Sequence, residues 1–76
     1  MLASMALIDA ARVARMARDL ITQHGLPVRL VDVTHEPPSW HVTIRHSDQP
    51  DILISDSLTP RELRTTLREK LDAASA

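Results

Sequence analysis

Five prolines and a single glycine punctuate this chain of 76 residues, and their positions limit how far any element can run. Gly25 and Pro27 close the first stretch. Glycine accepts the left-handed conformation that ends a helix, Leu26 can pack back on Ile21, and proline cannot continue the turn. Pro37, Pro38 and Pro50 lack the N–H that a strand ladder requires, so they mark turns at residues 36–39 and 47–50. Pro60 stands where proline is favoured, at the first position of a helix behind a threonine cap.

Between these stops the hydrophobic periods name the elements. Residues 4–24 read as an amphipathic helix. Ala6, Ala10, Val13, Ala14, Ala17, Leu20 and Ile21 cluster on one side with Met16 at the edge, while Arg12, Arg15, Arg18, Asp19 and Thr22 fall opposite. A stripe this rich in alanine lets a helix lie close to a flat neighbour such as a sheet, and His24 suits the negative end of the helix dipole. Residues 28–35 are rich in β-branched side chains and form a strand whose phase changes at Leu30-Val31, the mark of a bulge. Residues 40–46 alternate, with Trp40, Val42 and Ile44 on one face and His41, Thr43 and Arg45 on the other. Residues 51–55 make a short third strand. Thr59-Pro60-Arg61-Glu62 is a capping box that opens a helix over 60–72, with Leu58 placed to staple onto Leu63. Leu63, Leu67 and Leu71 line its buried face, and residues 73–76 are expected to fray. The expectation is one α+β domain over residues 1–76, in the order αβββα, with both helices packed on one face of a three-stranded antiparallel sheet.

Composition narrows the function. The 24 large apolar side chains include no Phe or Tyr and only one Trp, and a domain this small buries only ~60% of its unfolded surface. Nearly all of them are needed inside, which argues against a large enclosed pocket and predicts no cofactor. Without cysteine there are no disulfides, thiolate metal sites or thiol nucleophiles. A net charge of −1 supplies no whole-protein field toward nucleic acid or membrane. No apolar run reaches the ~20 residues of a membrane span, and no basic segment precedes the first apolar residues, so a cytoplasmic location is expected. Single-stranded RNA readout needs aromatic platforms, and one inward Trp does not provide them.

Two surfaces remain as candidates. The first is the open sheet face, with His41, Thr43 and Arg45 beside Asp32 and Thr34; its plainest reading is an ordinary polar outer face, its sharper one a partner surface. The second is a pair of arginine rows, Arg12, Arg15 and Arg18 on the first helix and Arg61, Arg64 and Arg68 on the second. Spacings such as Asp9/Arg12, Arg15/Asp19 and Arg68/Asp72 would lace these rows with ion pairs. Otherwise, arginine forks suit phosphates or an acidic protein surface. His35, Glu36 and His41 flank one turn, but neighbouring strand residues point to opposite faces, so no metal site is expected. There is no nucleophile elbow or phosphate-cradling loop either.

The αβββα order resembles the double-stranded-RNA-binding fold, and within it the HicA toxins, small ribonucleases with a Gly-Ser-His motif on a strand. Pro38-Ser39-Trp40-His41 stands at the corresponding place, and Leu58-Thr59-Pro60-Arg61-Glu62-Leu63-Arg64 opens the second helix as in that family. The motif glycine is replaced by Pro38 and Trp40 separates Ser39 from His41, so His41 alone could inherit the catalytic role that the resemblance implies. The Leu-Thr-Pro-Arg-Glu-Leu run also resembles the start of the LuxR-type DNA-binding region, but capping chemistry accounts for it. The leading expectation is a non-catalytic protein-interaction module, of the phage- or plasmid-encoded inhibitor or accessory type, docking on a larger nucleic-acid-processing complex. The alternative is a HicA-like RNA-binding protein or ribonuclease using His41. Homodimerisation would add burial to a core this small.

Overall fold

The computed structural model describes residues 8–75 of the chain. Helix α1 (Ala10–His24), strands β1 (Arg29–Glu36), β2 (Ser39–Arg45) and β3 (Asp51–Ser55) and helix α2 (Pro60–Ala74) follow one another in the expected order. The sheet is antiparallel throughout with strand order β1-β2-β3.

Helix α1 begins at Ala10 rather than at residue 4, because Asp9 is extended and its Oδ1 accepts a hydrogen bond from the Arg12 backbone N–H at 2.9 Å. A short carboxylate there satisfies one of the orphan donors of the first turn, a stronger local signal than the continuing apolar pattern. Residues 4–7 of the expected helix, Ala6 included, lie outside the described residues. The other end is as expected. Gly25 sits at φ 59°, its N–H reaches the Thr22 carbonyl at 3.3 Å, and the Leu26 N–H reaches that of Ile21 at 3.0 Å.

Strand β1 occupies 29–36 rather than 28–35, and β2 occupies 39–45 rather than 40–46. Glu36 pairs with Ser39, so the ladder runs up to Pro37-Pro38 and only those two residues form the turn. At the far end His46 turns to φ 67° and leaves the strand, exposed to solvent. The register slips between Leu30 and Asp32, leaving Val31 as the bulged residue where the sequence phase changes.

Helix α2 extends past the expected residue 72. Thr59 Oγ1 accepts from the Glu62 N–H at 3.2 Å and Glu62 Oε1 from the Thr59 N–H at 2.9 Å, the reciprocal box read from the sequence. At the other end Ala74, expected in a frayed tail, is only 5% exposed, and its carbonyl accepts from Ser47 Oγ at 2.7 Å. That bond ties the last turn of α2 to the β2–β3 turn, so the helix returns from the end of β3 toward its start.

One core joins the layers. Trp40, Val42 and Ile44 of β2, with Val33, Ile52 and Ile54, meet Val13, Ala17 and Leu20 of α1 and Leu63, Leu67, Leu71 and Ala74 of α2, with Val28 closing the side. Each fully buried Leu or Ile contributes ~1.5–3 kcal/mol. No buried polar or charged residue interrupts this cluster among the described residues. Ala17, completely buried, is the small side chain that lets α1 close on the sheet.

Candidate functional site

The uncovered face of the sheet is organised around His41. In the register His41 stands opposite Thr34 of β1 and Leu53 of β3, so Glu36 and Asp51 are its diagonal neighbours on either side. Both reach it. The Nδ1 atom lies 3.0 Å from Glu36 Oε2, and Nε2 lies 2.9 Å from Asp51 Oδ1. Thr34 Oγ1 donates to the same Glu36 oxygen at 3.0 Å. A carboxylate only accepts, so bonding both at once requires an N–H on each ring nitrogen, which is the imidazolium form. Accordingly the hydrogen bond to Glu36, then that to Asp51, raises the His41 pKa above the ordinary histidine value. The bond from His41, helped by Thr34, holds Glu36 below the usual carboxylate range. The result is a cationic clasp across all three strands. It leaves no ring nitrogen free to take or give a proton.

The rest of the face carries Thr43 and Arg45. Thr43 is half-buried between Asp32 and Asp51, its partners in the two ladders, and Arg45 is exposed opposite Arg29. His35 lies on the other side of the sheet. Its ring stacks on Trp40 with centroids 4.3 Å apart, and its Nε2 is 2.8 Å from Asp56 Oδ2. The two histidines beside the turn therefore diverge, and among the described residues no three His, Asp or Glu side chains converge as metal ligands. An open groove of about 740 Å³ runs past His35, Trp40, Asp56 and Leu58 where both helices begin. Composition argued against a large enclosed pocket; this is a surface groove between helix starts.

All six arginines of the two rows are exposed. Arg68 approaches Asp72 at 3.9 Å, a loose contact of the expected spacing, and Arg64 Nη2 donates to Gln23 Oε1 at 3.1 Å, linking the helices. The expected Asp9/Arg12 pair is replaced by the backbone cap. The Arg15/Asp19 pair is not formed, and among the described residues Arg12, Arg15, Arg18 and Arg61 make no ion pair. The fold also separates charge in a way the net value conceals. The two helices hold Arg12, Arg15, Arg18, Arg61, Arg64, Arg68 and Lys70 against Asp19, Glu62, Glu69 and Asp72. Residues 25–59 hold Arg29 and Arg45 against Asp32, Glu36, Asp48, Asp51 and Asp56.

Glu36 was named from the sequence beside His35 and His41 at the turn, and it does meet His41. Asp51 and Asp56 are the residues that the sequence did not single out; placing Asp51 beside His41 required the β2–β3 register, which no turn residue announces. No family model, curated protein or solved structure matches the chain. The αβββα order and antiparallel sheet are those implied by the double-stranded-RNA-binding resemblance. No helix among the described residues is long and apolar enough to cross a membrane.

Proposed function

We propose that this protein is a non-catalytic interaction module that docks on an acidic surface of a larger protein through the arginine faces of its two helices, as an inhibitor or accessory factor of phage or plasmid type would. The observation that carries the reading is the set of exposed arginines, Arg12, Arg15, Arg18 and Arg61, that make no ion pair among the described residues. Guanidinium groups left unpaired keep their full capacity for bidentate bonds to carboxylates. Long-range attraction from such a face steers encounter and sets orientation. The clasp on His41 weighs against the HicA-like alternative, because acid–base chemistry needs a nitrogen that can reach the substrate.

The test is affinity capture from the source organism with the wild-type chain and with an Arg12→Glu/Arg15→Glu/Arg61→Glu variant shown by circular dichroism to be folded. One protein recovered in near-stoichiometric amount by the wild type and lost with the variant is the expected result. Recovery of nucleic acid instead, or ribonuclease activity abolished by His41→Ala, would overturn it.

A further inference from the structure

Strand β3 forms one edge of the sheet, and among the described residues nothing pairs with its outer side. The ladder parity tells which backbone groups are left there. Ile44 N–H donates to the Pro50 carbonyl at 2.8 Å and Asp56 N–H to that of Pro38 at 3.0 Å. Both bonds belong to the register that sets Val42 against Ile52 and Trp40 against Ile54. In an antiparallel ladder the bonded pairs alternate, so Ile52 and Ile54 turn their peptide groups toward β2 while Asp51, Leu53 and Ser55 turn theirs outward.

We propose that the protein forms a two-fold homodimer by antiparallel pairing of β3 with β3 of a second copy, with Leu53 on the axis. The segment Asp51-Ile52-Leu53-Ile54-Ser55 reads almost alike in both directions about Leu53. Centred there, Leu53 exchanges both backbone bonds with its counterpart, and Asp51 does the same with Ser55 of the second copy. On the open face Leu53, 59% exposed and the most exposed large apolar side chain described, is covered by its own equivalent. On the helix side Ile52 stands opposite Ile54 in this register, both already buried within their own core. Centring the pair on Asp51 would oppose two carboxylates, which disfavours that register.

Helix α2 supplies an independent match. Arg64 and Arg68 line the groove it shares with Leu20 and His24 of α1. At 100° per residue Glu62, Thr66 and Lys70 fall opposite these two arginines, on the flank turned away from α1. Because α2 starts beyond the Ser55 end of β3 and its last turn meets Ser47 at the other end, its midpoint near Thr66 falls level with Leu53 along the strand. The same axis then sets Glu62 of each copy against Lys70 of the other. The opposite edge carries devices that discourage such pairing, namely the Val31 bulge and the charges of Arg29, Asp32 and Glu36; within β3 there is no bulge, proline or cation.

Sedimentation velocity on the full chain, from micromolar to several hundred micromolar, should show a monomer–dimer equilibrium. Leu53→Arg, which sets two cations on the axis but replaces a residue exposed in the monomer, should remove the dimer with helicity unchanged. Lys70→Glu should weaken it about tenfold. Leu53→Cys should cross-link to a disulfide dimer on mild oxidation, whereas Ser57→Cys should not. A strict monomer across the range with no Leu53→Cys cross-link, or a dimer that survives Leu53→Arg, would overturn the assignment. Arg12, Arg15 and Arg61 take no part in this pairing, so loss of partner capture and loss of the dimer are separately readable.

Discussion

The two faces of β2 are held by different physics. Trp40, Val42 and Ile44 face the helices and are stabilised by removal from water, whereas His41, Thr43 and Arg45 face outward, where His41 is held by charge and hydrogen bonding. Burial is insensitive to pH and is not screened by salt, but the outer face responds to both, because its central bond set needs His41 protonated and Glu36 ionised. A strand can therefore carry a fixed side and a conditional side one residue apart.

The largest expected effect comes from breaking the inner face. Ile44→Ala should cost about 2–5 kcal/mol in urea unfolding, because the side chain is almost wholly buried in the one core and its removal leaves a cavity. A loss under 1 kcal/mol would mean that the helices can follow the cavity. Thr59→Ala, which touches neither face, should cost about 1 kcal/mol by removing one half of the capping box, and serves as a ruler between the two.

The outer face is separated by pH. The raised His41 pKa means its contribution is full below about pH 6.5 and is lost as pH rises through the raised value. The lowered Glu36 pKa means its contribution is full above about pH 4.3 and is lost as pH falls through the lowered value. The stability difference between wild type and His41→Ala should thus peak between these limits and shrink on both sides, whereas Ile44→Ala should give a flat difference. A His41→Ala difference that grows steadily toward alkaline pH would contradict the clasp. The smallest effect belongs to the rim. Arg45→Glu, which turns a like-charge pair with Arg29 into an attractive one, should raise stability by a few tenths of a kcal/mol in low salt and by nothing in high salt.

Much of the fold was legible because short-range chemistry wrote it. The Gly25 stop, the Thr59 box, the proline turns and the phase break at Val31 each act within five residues, and each appears where the chain predicts it. The errors arose where two local signals competed. An alanine-rich pattern running back to residue 4 concealed Asp9, and a tail of small residues concealed that Ala74 packs beneath the β2–β3 turn. The site was less legible. Exposure of His41 followed from alternation, but its clasp depends on two registers at once, and the unpaired state of Arg15 depends on which rotamers the surface allows. The opposed charges of the two layers were invisible in a net value of −1.

That opposition has a practical consequence in the handling of the protein. An isoelectric point near 6.4 would ordinarily forecast weak retention on any ion exchanger at that pH. A molecule with an excess of cations on its helices and an excess of carboxylates on its sheet segment can instead turn whichever part suits the resin. It should adsorb to sulfonate and quaternary-amine beads alike, and elute from both in modest salt.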